Sequence, residues 1–277
     1  MSNETPQFFP NRVHKRLFGV LHRPDTTVVC HDLAIVFCAP LFEEKLWSHR
    51  VMVNFARYLA LRGVSVLRFD YFGDGESEGR FEEASVATRV ADIHDAVEFC
   101  RRQTGIETTY VLGLCYGATL ALCAALSAET IAGAVAWAPI MDGERYAGEL
   151  LRAHLTAQMV VHRKIIHDRE ALVRQITADQ PVNIEGYEIG KALYAEMITI
   201  DLMKLLSGAT KRVLVQQISP TERTDSQYAA LTKPPNQFIE FRSSREIKFW
   251  TQQKNVFPPC DELFAQTAGW LLQAASH

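Results

Sequence analysis

The order of apolar runs along this chain constrains its fold more than any other feature. DLAIVFCAP (32–40) is a continuous apolar run closed by Pro40, the pattern of a strand buried on both faces. WSHRVMVNFARYLALRG follows, with Val51, Phe55 and Leu59 on one helical face and Gly63 at its stop. VSVLRFD (64–70) reads as a second buried strand and YFGDGESEGR as a Gly-rich loop. VATRVADIHDAVEFCRRQTG is helical again, with Val86, Val90, Ile93, Val97 and Cys100 in one row. TTYVLGL, YGATLALCAALSAE and IAGAVAWAP continue as strand, small-residue helix and strand, and RLFGVLHRP (16–24) reads as a strand ahead of them all. Strand and helix alternating over roughly 130 residues predict a parallel sheet with right-handed crossovers.

Residues 142–208 break this rhythm. They carry helical patterns around 146–163, 168–177 and 190–206, with a hairpin signal at GYE, 186–188. The alternation resumes with KRVLVQQIS, the helical SQYAALT, the strand QFIEFRS and a closing helix, DELFAQTAGWLLQAAS. The expected architecture is an open α/β core from 1–141 and 209–277, with a helical lid at 142–208 inserted after the fourth strand of the alternating core. A length of 277 residues is ordinary for such a core as one unit.

Composition narrows the function classes. A net charge of −3 with no block of Lys or Arg gives no nucleic-acid footprint. The most apolar stretch, 117–140, is interrupted by Glu129 and Gly133 and divides into a helix and a strand, so no membrane span is expected. MSNETPQFFPNRVHKR lacks the apolar centre of a secretory signal, and a cytoplasmic location is the expectation. Six cysteines (30, 38, 100, 115, 123, 260) show no regular spacing, so neither a disulfide framework nor a metal site is implied, and nothing calls for a cofactor.

Two pentapeptides have the form of the turn on which a hydrolase displays its nucleophile. Gly75-Glu76-Ser77-Glu78-Gly79 matches the serine pattern but lies in a polar loop seven residues past the end of its strand, and no helix follows directly. That turn requires a strand immediately before it and a helix immediately after. Gly113-Leu114-Cys115-Tyr116-Gly117 meets the requirement, with TTYVLGL leading in and ATLALCAAL leading out. The glycines let the chain fold sharply, because side chains at 113 or 117 would collide with the neighbouring strand and helix. Cys115 is the candidate nucleophile. Its place at a helix N-terminus, with free N–H groups and the positive end of the dipole, favours a thiolate.

With these residues in view, the chain resembles the α/β-hydrolase superfamily, near the serine-aminopeptidase and monoglyceride-lipase-like branch. It is most similar to α/β-hydrolases associated with bacterial exosortase and exopolysaccharide systems. The resemblance is carried by APLFEEKLWSHR (39–50), VLRFDYFGDGESEG (66–79), GLCYG, WAPIMDGERYAGELLR (137–152), EGYEIG (185–190) and FW at 249–250. It implies an acyl ester or thioester hydrolase acting on a small molecule or an acyl carrier. The alternative is a fold kept for binding or assembly, because members of that group often have altered nucleophile or histidine positions.

The resemblance also distributes roles. A bound carbonyl oxygen would meet the N–H of Tyr116 and that of Leu41 or Phe42, since Pro40 has none. The acid would follow KRVLVQQIS, where Glu222 and Asp225 stand, with Asp142 as another position. The histidine should follow QFIEFRS, but SREIKFWTQQKNVFPPCDELF contains none, and Trp250 stands at its usual place. His49, after the presumed oxyanion loop, is the candidate substitute near Cys115, and His154 and His162 lie two turns apart on the lid. A water hydrolysing an acyl-cysteine needs a base, for which His49, Glu43 and Glu44 are the candidates.

Overall fold

The structure is a computed structural model and describes residues 3–251 and 258–274. Eight strands form one mixed sheet: β1 (Asn3–Pro10), β2 (Arg16–Arg23), β3 (Ala34–Cys38), β4 (Ser65–Phe69), β5 (Thr109–Leu114), β6 (Gly133–Trp137), β9 (Arg212–Ser219) and β10 (Ile239–Arg245). The spatial order is β1-β2-β4-β3-β5-β6-β9-β10. β1 pairs antiparallel with β2 and β2 with β4; every other pairing is parallel. This is the α/β-hydrolase fold.

Period-two alternation assigns each strand residue to one of two cores. On β3, Ala34, Val36 and Cys38 join the core that also holds Ile93 and Val97 of α2 (Val86–Thr104) and Leu120 of α3 (Tyr116–Ser127). Ile35 and Phe37 point the other way. They meet Phe55 and Leu59 of α1 (Phe42–Ala60) and Phe264 of the closing helix α8 (Asp261–Ala274). α2 is bounded as its sequence dictates: Ser85 caps its N-terminus by accepting from the Thr88 N–H, and Gly105 ends it at φ 73°.

The chain leaves β3 through α1 toward β4 on one side and returns through α2 to β5 on the other. The carboxyl ends of β3 and β5 therefore flank the point where strand order reverses, the place where open α/β sheets bind ligands. Between β6 and β9 the chain runs through α4 (Gly143–His162), α5 (Arg169–Thr177), the hairpin β7 (Val182–Ile184) and β8 (Tyr187–Ile189), α6 (Lys191–Met197) and α7 (Leu202–Ser207). No helix among the described residues is long and apolar enough to cross a membrane.

Three local readings change. β1 is absent from the sequence reading because NETPQFFP is polar and carries two prolines, yet prolines are tolerated on an edge strand. The continuous helix expected over 190–206 is two, since Asp201 caps α7 through the Lys204 N–H. SQYAALT forms a 3₁₀ turn, Ser226–Thr232.

Candidate active site

Cys115 sits between β5 and α3 at φ 50°, ψ −121°, a conformation that non-glycine residues seldom hold. Hydrogen bonds lock the turn. The Cys115 N–H donates to the Trp137 carbonyl at 2.9 Å, and the Cys115 carbonyl accepts from Ala118 and Thr119. A Cβ on Gly113 would lie 2.2 Å from the Gly117 oxygen, and one on Gly117 would lie 2.3 Å from the Ala39 oxygen. The second contact shows how closely the segment after β3 abuts the turn. Leu41, the residue before α1, and Tyr116, the first of α3, both bring helix-start amides to this junction.

The sulfur is buried: Cys115 is 2 % exposed. Burial raises the pKa of the thiol well above its ordinary value, the Glu44 carboxylate raises it further, and Lys248 opposes both. This corrects the expectation of a thiolate. Desolvation disfavours the charged form, and the helix start does not offset it.

The group against the thiol is Glu44. α1 begins at Phe42, which places Glu44 in its first turn. The residue keeps some exposure, but its carboxyl end is packed in by protein, against the Cys115 thiol and Tyr146. The Tyr146 hydroxyl of α4 donates to Glu44 Oε2 at 3.4 Å. Burial raises the carboxyl to about 7, with the hydrogen bonds from Tyr146 and Cys115 working against it. A carboxyl poised near neutrality beside a thiol can take its proton and give it back. Tyr146 also stacks on Tyr116, with ring centroids 5.6 Å apart.

A second group of residues acts on the same thiol. Lys248, two residues before Trp250, lies 3.8 Å from Asp225 and acts on the Cys115 thiol as a positive charge. Asp225 precedes the 3₁₀ turn without capping it through its side chain. Tyr228 donates its hydroxyl to the Pro139 carbonyl at 3.0 Å. Burial, with the charges of Cys115 and Asp225, pushes its acidity down. Phe249 and Trp250 are buried edge to face and join the same apolar cluster as Cys115.

The remaining sequence candidates lie elsewhere. His49 lies on the next turn of α1, among Arg68, Asp70 and Lys45; the residue is exposed overall, but partial desolvation of its ring and the charge of Arg68 lower its basicity. Glu44, one turn earlier, faces the thiol instead. Glu222 is exposed, 3.8 Å from Arg245. Asp142 caps α4 by accepting from the Arg145 N–H. His154 feels Glu185 and His167. Ser77 is occupied by backbone: its hydroxyl donates to the Asp70 carbonyl at 2.6 Å and accepts from the Phe18 N–H at 2.9 Å. Glu222→Ala is expected to change stability by less than about 0.5 kcal/mol in urea denaturation; a larger loss would mean its ion pair matters.

Sequence reasoning missed Lys248. The signal was present in the stretch IKFW, where a cation stands beside the position expected for histidine.

The sequence profile of a hydrolase family described as serine aminopeptidase, S33, matches residues 34–219. The chain belongs to that family. Its members are named for serine, whereas Cys115 occupies the turn here. Solved structures of similar fold include Est1E from Butyrivibrio proteoclasticus with ferulic acid bound (16 % identity, 98 % of this chain and 100 % of that one, TM-score 0.68). An esterase of Pyrococcus furiosus is similar at 14 % identity (98 % and 91 %, TM-score 0.68). A proline iminopeptidase of Mycobacterium smegmatis is similar at 16 % (98 % and 99 %, TM-score 0.63). A search of curated proteins finds no match.

Proposed function

We propose that this member of the hydrolase family cleaves acyl esters or thioesters, with Cys115 as nucleophile and Glu44 as its base. The observation that carries the reading is the place of Glu44 in the first turn of α1, its carboxyl packed against the Cys115 thiol and bonded by the Tyr146 hydroxyl at 3.4 Å. In acylation the Glu44 carboxylate takes the S–H proton as sulfur attacks the substrate carbonyl carbon. The N–H groups of Leu41 and Tyr116 are the donors assigned to the resulting oxyanion. Collapse expels the thiol or alcohol, which leaves with the proton from Glu44. Water then gives a proton to Glu44 and attacks the acyl-cysteine, and the expelled thiolate recovers that proton as the carboxylic acid departs. Asp225 and Lys248 form a charged pair where the superfamily pattern has acid and histidine. Lys248 favours the thiolate through its charge, without needing to carry the proton.

A thioester suits this site better than an amide. A thiolate leaves readily, whereas an amine would need a strong acid that the site does not supply. The substrate class is therefore an acyl thioester or activated ester, free or on an acyl carrier.

Intact-mass measurement on wild type and Cys115→Ala, after incubation with short and long acyl thioesters, tests the reading. A Cys115-dependent acyl adduct that decays with release of acid is expected. A persistent adduct would reduce the activity to a transfer half-reaction, and no adduct with any donor would overturn the nucleophile.

A second reading has its own observation. The sulfur is buried and Phe249 and Trp250 pack within its cluster. This packing supports a reading in which the fold is retained for binding or assembly. The likeness of the quoted strings to exosortase- and exopolysaccharide-associated hydrolases gives that reading its setting, an envelope-polysaccharide or protein-sorting system.

A further inference from the structure

α1 has two working sides. Glu44 faces Cys115, while Lys45, Ser48, His49 and Met52 border a cavity of about 290 Å³ beneath the helix. Its walls are apolar: Phe18 and Val20 of β2, Phe37 of β3, Phe69 of β4 and Met52. Neither Cys115 nor Glu44 lines it. The volume falls near the lower end for small-molecule sites, on the order of 300 Å³.

Polar groups gather at one end. Lys45 is already neutralised, 2.6 Å from Asp70 and 3.2 Å from Asp74. Asp70 also lines the cavity, where it is held by Lys45 and accepts from the Glu76 N–H. Arg68 is different. Its Nε donates to His22 Nε2 at 3.0 Å, and among the described residues no carboxylate forms an ion pair with it. Burial makes its charge costly, and only the more distant Glu4 and Asp70 favour that charge. His22, which accepts that bond, is held neutral, pushed down to about 4 by burial first and by Arg68 next. His49 stands at the same end with its basicity lowered, a neutral imidazole with hydrogen-bonding capacity.

An enclosed guanidinium without a paired anion, at the end of an apolar cavity, is complementary to one kind of ligand. We propose that this cavity binds a medium-chain monocarboxylate, with its chain among Phe18, Val20, Phe37 and Met52 and its carboxylate on Arg68 and His49. A carboxylate accepts two parallel N–H bonds from a guanidinium, and the apolar walls exclude a strongly hydrated multivalent anion. Cys115 does not line the cavity, although Ala39 and Pro40, which lead to Leu41, do, and the assignment stands whether or not Cys115 turns over. It shares α1 with Glu44, and a bound acid would contact the helix that carries the proposed base.

Calorimetric titration of octanoate into the full chain, in the Cys115→Ala background, is the test. One site per chain is expected, with octanol binding at least about tenfold more weakly, because loss of a charge-assisted hydrogen bond is worth about that much. Arg68→Met should weaken octanoate by a similar factor. Val20→Trp, which fills the cavity and leaves Arg68 in place, should abolish binding while retaining the wild-type circular dichroism spectrum. Equal binding of octanol and octanoate, undiminished binding to folded Val20→Trp, or no binding to the Cys115→Ala protein would each overturn the proposal. Should Arg68→Met fail to fold, the Val20→Trp result and the octanol comparison decide it.

Discussion

Glu44→Gln is expected to slow acylation of Cys115 by about 10²- to 10⁴-fold, the usual worth of a positioned base, and to stabilise the folded protein at pH 8. Both effects have one origin. The Glu44 carboxyl is held at about 7 rather than its ordinary 4.5 because burial penalises the carboxylate. Between those pH values the unfolded chain has given up the proton while the folded chain keeps it. Stability from the protonated carboxyl is thus fully present below about 4.5 and is lost as pH rises through about 7. At 1.36 kcal/mol per pKa unit, the loss is on the order of 3 kcal/mol. Glutamine keeps the shape and has no charge to desolvate, so its urea midpoint should fall less than that of wild type between pH 4 and pH 8. Acylation by wild type should rise with pH and level off above about 7, as the carboxylate becomes available. If Glu44→Gln acylates at the wild-type rate, the base lies elsewhere. If its stability keeps the wild-type pH dependence, the carboxyl is not held near neutrality. A residue with only a structural role would not combine slower chemistry with greater stability.

How much of this was readable beforehand depends on what each residue's position rests on. β3 could be read because burial on two faces leaves an unbroken apolar run, and Ile35 and Phe37 then had to face whatever α1 presented. The turn at Cys115 was readable because Gly113 and Gly117 answer to contacts with backbone, which the sequence can signal through the absence of a side chain. The start of α1 was not. PLFEEK has no capping side chain at Leu41, and Phe42 takes φ 54°, so nothing local marks a helix beginning four residues before Leu46. That displacement decided which residue meets the thiol. With α1 started later, His49 looks close to Cys115; with α1 started at Phe42, Glu44 faces Cys115 and His49 lies toward the cavity bordered by Arg68. The ionisation of Cys115 was misjudged for a related reason. A helix N-terminus is visible in sequence, whereas the desolvation that overrides it depends on Tyr146 and Trp250 arriving from distant segments. The pairing of Asp225 with Lys248 is likewise a matter of tertiary packing, across residues 23 apart, and neither side chain announces it.

Gly117→Ala is expected to cost about 3 kcal/mol or more of folding stability, placing it among the most damaging single-methyl additions the chain can receive. The backbone angle is not the reason, since Gly117 is not among the positive-φ residues of the chain. The reason is space. The added Cβ would lie 2.3 Å from the Ala39 oxygen, 2.4 Å from the Cys38 oxygen and 2.6 Å from the Ala39 carbonyl carbon, all backbone atoms. No rotamer change relieves such contacts, so either α3 must withdraw or the end of β3 must move. Cys38 is in register with Gly113 across the β3–β5 ladder, so moving it strains the strand that holds the turn. Leu41 follows within three residues of Cys38, and its N–H would shift with that segment. Gly269→Ala supplies the control. That glycine lies in α8, is exposed, and has nothing within 4 Å of its prospective Cβ. There the methyl should stabilise by about 0.5–1 kcal/mol, through helix propensity and a less flexible unfolded chain. Parallel urea melts should therefore move in opposite directions for the same chemical change. A Gly117→Ala protein as stable as wild type would show that the segment after β3 can yield, and that the turn is not held by the close packing described for it.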